Sequence, residues 1–180
     1  MKKKILFFDI ECTSIYSSSG IVIAIGIFDP EKMEKPIVRI IKKPDEERKL
    51  LEWFKEEVEK ENYAICGWNS KSFDLPFILG RALQLGLDFS SLKEVEHIDL
   101  IEVARENFRF RSNRMEEVCK ILKVKYEPGI SGEIIAINFM KGLAGDKEAK
   151  EKIVQRCEND LIALSKLYKK FKPYLLSNKN

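Results

Sequence analysis

Phe7-Phe8-Asp9-Ile10-Glu11 sets two carboxylates, two residues apart, inside an apolar run. In an extended strand, side chains at i and i+2 point the same way and lie roughly 6 to 7 Å apart. Asp9 and Glu11 therefore share one face, with Phe8 and Ile10 on the other. Two anions side by side on a buried strand are costly unless a basic partner, a proton or a bound cation compensates them. No Lys or Arg adjoins the pair in sequence. Carboxylate oxygens are hard ligands, so the first expectation is a divalent ion, Mg²⁺ or Mn²⁺.

Working outward, residues 3–11 read as a buried first strand behind a basic tip, Met1-Lys2-Lys3-Lys4. Asp9 and Glu11 end the apolar run too early for a signal peptide, and no small-residue cleavage site follows. Ser17-Ser18-Ser19-Gly20 is a turn before a strand from Ile21 to Phe28, and Asp29-Pro30-Glu31-Lys32 is a turn before a third strand, Ile37 to Ile41. Strands joined by such short turns pair antiparallel. Pro44-Asp45-Glu46-Glu47 opens a helix with Leu50, Phe54 and Val58 at four-residue spacing. A strand from Tyr63 to Trp68 leads to a helix from about Leu75 to Leu85. Glu96 to Leu100 reads as a short strand end feeding a helix, and Met115 to Leu122, Glu133 to Met140 and Lys147 to Phe171 read as three further helices. That order predicts a mixed α/β architecture.

A chain of 180 residues without repeats or a linker is expected to form one domain over 1–180, large enough to bury a core without disulfides. The apolar share of 44% and charged share of 34% exclude a disordered chain, and no apolar stretch is long enough to span a membrane. Cys12, Cys66, Cys119 and Cys157 are scattered, as reduced core residues of a cytoplasmic protein would be. A net charge of +3 is too small to announce nucleic acid by itself.

Two further acids stand in comparable surroundings. Ile153, Cys157, Leu161, Leu164, Leu167 and Phe171 form the apolar stripe of the last helix, and Asp160 falls on or beside it. In Asn69-Ser70-Lys71-Ser72-Phe73-Asp74-Leu75, Asp74 stands where a loop gives way to a helix, either as a functional acid or as a simple helix cap.

Phe8-Asp9-Ile10-Glu11-Cys12, Gly67-Trp68-Asn69 leading to Phe73-Asp74, and Cys157-Glu158-Asn159-Asp160-Leu161 together resemble the three motifs of the DnaQ-like, or DEDD, 3′-to-5′ exonuclease superfamily. The likeness spans essentially the whole chain, nearest the branch shared by B-family polymerase proofreading domains and YprB-like proteins. His97-Ile98-Asp99-Leu100 and Pro128-Gly129-Ile130-Ser131-Gly132 are similar to the latter. The resemblance implies a ribonuclease H-like α/β fold, three antiparallel strands plus parallel strands in one mixed sheet with flanking helices. It also implies that Asp9, Glu11, Asp74 and Asp160 are catalytic and hold two Mg²⁺ or Mn²⁺ ions, and that the partners are 3′ ends of single-stranded DNA or RNA. Phosphodiester hydrolysis suits that arrangement, because two ions activate a water and neutralise the leaving oxygen.

One departure stands out. Family members place a Tyr four residues, or a His five residues, before the last Asp; here Arg156 and Gln155 occupy those positions. Arginine has no acceptor atom and cannot serve as a base near neutrality. Arg156 is then either a fork donor to the scissile phosphate or an ordinary exposed side chain. Thr13 and Asn69 flank motif acids, where similar proteins touch the terminal nucleotide, and also suit plain turns. Phe73 is either a wedge against a base or a core anchor. His97, the sole histidine, is either a base or a satisfied strand-end residue, and Asp99 shares that ambiguity. In Arg105 to Arg114 cations alternate with aromatics, so Arg109 and Arg111 belong either to a single-strand platform or to a solvated basic face. The reading is a metal-dependent 3′-to-5′ exonuclease. The alternatives are a domain that binds nucleic acid or protein without cutting, and a structure-specific endonuclease.

Overall fold

Side-chain alternation along the first strand sorts the core into two halves. In the computed structural model, which describes residues 3–175, this strand is β1 (Lys4–Cys12). It lies in the middle of a five-stranded sheet with β2 (Val22–Phe28), β3 (Ile37–Ile40), β4 (Tyr63–Gly67) and β5 (His97–Asp99), in the order β3-β2-β1-β4-β5. β1 pairs antiparallel with β2, as does β2 with β3; β4 runs parallel to β1, and β5 to β4. Met1 and Lys2 of the basic tip lie outside the described residues. Among the described residues no helix is long and apolar enough to cross a membrane.

Leu6, Phe8 and Ile10 face α1 (Glu47–Glu59) and α2 (Asp74–Gln84), where Leu51, Phe54 and Ile78 are fully buried with them. Phe7 faces the other way, into a second cluster with α3 (Leu100–Asn107), α4 (Met115–Ile121) and α6 (Lys147–Leu175). The stripe expected on the last helix is the one that packs: Ile153, Cys157, Leu161, Leu164, Leu167 and Phe171 are all buried. Asp9 and Glu11 continue the Phe7 register and so point toward α6. α5 (Ile135–Leu143) packs on α6 near the end of β1.

Most element boundaries differ from the sequence reading by a residue or more, and at two of them the local reason is plain. The strand end expected at Glu96 to Leu100 is only His97–Asp99, because the Asp99 carboxylate accepts from Ile101 N and starts α3 at once. The helix expected from Glu133 opens with a 3₁₀ turn, Gly132–Ile134, before α5 begins.

Gly26 sets how closely α6 can approach the sheet. It pairs with Asp9, and a Cβ there would stand 2.5 Å from Cys157 Sγ and 2.6 Å from Leu161 Cδ1. Replacing Gly26 with Ala is therefore expected to push α6 outward and destabilise the fold by about 1–3 kcal/mol. Urea unfolding measures this, and an unchanged midpoint would show that the helix seat is not fixed by that contact.

Candidate metal and nucleic-acid site

The carboxylates of β1 stand where the sheet opens. Parallel pairing with β4 ends at Phe7, and the pairing with β2 shifts register between Glu11 and Cys12. Asp9 and Glu11 thus project beyond the β4 edge, and α6 lays Asp160 over them. One carboxylate oxygen from each of Asp9, Glu11 and Asp160 lies within 4.8 Å of the others. Asp74 stands outside that triad but lines the same cleft, where its Oδ1 accepts from Ile10 N at 3.2 Å. Its carboxylate is spent on β1, so the helix-cap alternative does not describe it. The residue at the cap position, Phe73, makes no side-chain cap bond.

Burial dominates the electrostatics. It pushes Asp9 well above the usual carboxylate range, helped by Asp160, Glu11 and Asp74. It raises Glu11 to about 8 against the pull of Arg156, and Asp74 to about 7 despite the Ile10 amide. Asp160 also rises, burial outweighing Arg156 and the Tyr126 hydroxyl. Asp9 Oδ2 and Glu11 Oε1 are buried with no hydrogen-bond partner. Orphaned acceptors are rare inside proteins because each forfeits its hydration. Hard oxygen donors, converging and unsatisfied, fit a small divalent cation.

Arg156 is neither solvent-facing nor free. Its Nε lies 2.9 Å from Glu11 Oε1 and its Nη2 3.6 Å from Asp160 Oδ2, while Nη1 donates to the Ile130 carbonyl at 2.6 Å. Both Nε and Glu11 Oε1 lack an aligned hydrogen bond, so at 2.9 Å they attract as charges without a directed bond between them.

Tyr126 is the residue that sequence reasoning missed. Its hydroxyl donates to Asp160 Oδ1 at 2.5 Å from a segment 34 positions upstream. Burial, then the Asp160 charge, drives its phenol far up, so near neutrality it is a donor and not a base. The family pattern puts a Tyr one turn before Asp160; the sequence cue to this one is its place just ahead of Pro128-Gly129, which carries no distance information.

These residues floor a cleft of about 960 Å³. Thr13, Asn69, Phe73 and Arg156 line it, whereas Arg109 and Arg111 do not; from the same segment Arg105 and Arg114 reach its wall. Phe108 and Phe110 are half-buried and pack 5.5 Å from each other, and Phe108 also lies 5.0 Å from Phe171 within the second cluster. Phe73 lines the cleft and packs 5.8 Å from Phe77, which seats it between the core and the cleft. Thr13 Oγ1 accepts from Ile21 N at 3.0 Å and closes the loop after β1. Asn69 adopts the left-handed region, φ 63°, held by its N–H to Asp99 Oδ1 at 2.7 Å, while Lys71 N reaches Asp99 Oδ2 at 2.9 Å. Asp99 is thus the anchor of the loop that leads to Asp74. His97 is away from the cleft wall: Nε2 shares a 2.8 Å bond with Ser70 Oγ, and burial, then Lys71, lowers it to about 4.

A mixed sheet of this order with buried carboxylates at the end of its central strand defines a ribonuclease H-like, nuclease-type protein. The chain belongs to the RNase_H superfamily, which it matches over residues 6–172. Members of this class typically work with divalent metals, in keeping with the carboxylate cluster. Among solved structures it is similar to the family B DNA polymerase from the hyperthermophilic archaeon Pyrobaculum calidifontis, with a TM-score of 0.83 at 18% identity. That likeness covers 97% of this chain but only 25% of the polymerase, so the chain spans about a quarter of that protein's length and shares a fold with that part. Among curated proteins none matches the chain.

Proposed function

We propose that this protein is a metal-dependent 3′-to-5′ exonuclease that trims single-stranded DNA or RNA and releases nucleoside 5′-monophosphates. The observation that carries the reading is the trio of converging carboxylates with buried, unpartnered oxygens at the floor of a cleft. Asp9, Glu11 and Asp160 would hold the ions, with Asp74 beside them. Two divalent ions, when bound, supply an activated water and charge neutralisation at the departing 3′ oxygen. The chain's own groups then orient the strand. Asn69, fixed by Asp99, and Thr13, fixed by Ile21, present polar groups near the carboxylates. Phe73 offers an apolar face backed by Phe77, against which a terminal base can seat. Arg105 and Arg114 set positive charge on the wall along which a phosphate backbone would enter. Neither Arg156 nor Tyr126 can take the proton of the attacking water, so that proton goes to bulk solvent or to another group of the cleft.

One observation favours a second reading. Arg156 already compensates Glu11 and Asp160, as a domain that binds nucleic acid without cutting it would allow. Incubation of a 5′-labelled oligonucleotide with Mn²⁺, with and without EDTA, separates the two. A metal-dependent ladder of shortened products is expected. Intact substrate in every lane would favour the non-cleaving reading, and cleavage of a circular strand would point to an endonuclease.

A further inference from the structure

Four of the six acidic residues that line the cleft make up the site described above, yet they do not stand there alone. Arg156 enters from α6 one turn before Asp160 and places its guanidinium against Glu11 and Asp160, two of the three groups whose oxygens converge. We infer that this guanidinium is a resident cation occupying one of the two cation positions, so that the resting protein takes one divalent ion tightly and the second only when Arg156 withdraws.

The inference rests on the metallonuclease reading and deepens it. Two divalent ions already match the charge of four carboxylates, so a guanidinium held among them makes one positive charge too many in a site with little water. At contact distance in a partly buried site, like charges repel strongly. Arg156 is also loosely seated where it meets Glu11, since the 2.9 Å approach carries no aligned hydrogen bond. Its firm bond is elsewhere, the 2.6 Å donation from Nη1 to the Ile130 carbonyl on the cleft wall. That carbonyl is a tether. The guanidinium can leave Glu11 while staying anchored at Ile130, which turns its remaining donors into the cleft where a substrate phosphate would lie. A planar fork suits a phosphate better than a single carboxylate oxygen. Arrival of the phosphate would draw Arg156 off the carboxylates and admit the second ion, coupling full metal loading to substrate. The same face of α6 holds the segment at two further points: Asn159 Nδ2 donates to the Glu127 carbonyl at 2.8 Å, and Asp160 receives Tyr126. The tether therefore keeps its place when one side chain moves.

The test is calorimetric titration of the full chain with Mn²⁺ alone, then with Mn²⁺ in the presence of deoxythymidine 5′-monophosphate. Wild-type protein is expected to bind one ion tightly and a second at least tenfold more weakly, about 1.4 kcal/mol, and the nucleotide should tighten the second. In R156Q both ions should bind comparably without nucleotide. R156K keeps the charge and should retain the weak second site, which also serves if the glutamine variant folds poorly. Two equal sites in wild type, or a single site in both wild type and R156Q, would overturn the resident-cation inference while leaving a metal site in place. No Mn²⁺ uptake by any of the three would instead remove the metallonuclease reading on which it stands.

Discussion

Asp9→Asn is expected to lower Mn²⁺-dependent hydrolysis by at least about 10³-fold, comparable to or beyond the loss of one preorganised charge-stabilising group, while making the metal-free protein more stable. The two effects share one cause. Asp9 converges with Glu11 and Asp160, and burial first, then those neighbours, pushes its carboxyl well above the usual range. Its Oδ2 has no hydrogen-bond partner. The amide has nearly the same shape and no charge, so it relieves repulsion without opening a cavity. A gain of about 1–2 kcal/mol in EDTA is expected, the order of one buried uncompensated group. With the ligand gone, Mn²⁺ should no longer raise Tm, whereas saturating ion raises wild-type stability by about 2.7 kcal/mol at one hundred times Kd. Thermal melts with EDTA and with Mn²⁺, beside the oligonucleotide assay, report all three quantities. Wild-type rates in D9N would end the assignment of this acid to the metal site.

The second large effect is on stability against pH. Glu11 is raised from an ordinary 4.5 to about 8, and Asp74 from 3.8 to about 7, burial being the first cause of each. Between the ordinary and the folded values the native state binds more protons than the unfolded chain, so stability falls as pH rises through the window. The contribution is complete near pH 4 and gone above about 8. His97 works against it at the lower end: burial takes it from 6.5 down to about 4, which makes stability rise with pH over that interval. The net fall in EDTA should therefore be clearest between about pH 6.5 and 8, on the order of 2–4 kcal/mol. Excess Mn²⁺ should reverse the slope, because ligands must lose their protons to bind and affinity then grows with pH. Urea midpoints that stay level across that interval in EDTA would contradict the raised carboxylates.

The sheet, the acids and their common face were legible because they follow from periodicity. Asp9 and Glu11 were bound to share a side of β1, and Asp160 was bound to lie near the packed stripe of α6. Gly26 shows what periodicity leaves out: only its missing side chain lets that stripe sit close enough for Asp160 to reach Asp9. Asp74 could be placed at a helix start, but whether it capped the helix or turned to Ile10 depended on where β1 would run. Along the Arg105 to Arg114 stretch, alternation marked rings and cations correctly, yet Phe108 turned inward onto Phe171 and it was Arg105 and Arg114, not Arg109 and Arg111, that reached the cleft.

By itself the sequence determined the order and type of the main strands and helices, which carboxylates stand in apolar surroundings, and which superfamily motifs they resemble. Tertiary structure alone decided what surrounds them: Tyr126 on Asp160, Arg156 between Glu11 and the Ile130 carbonyl, Asp99 under Asn69, and His97 turned to Ser70. The reason is physical. Hydrophobic period fixes the side of an element on which a group lies, whereas contacts across tens of residues are set by how closely whole elements pack, and that depends on volumes and glycines rather than on spacing.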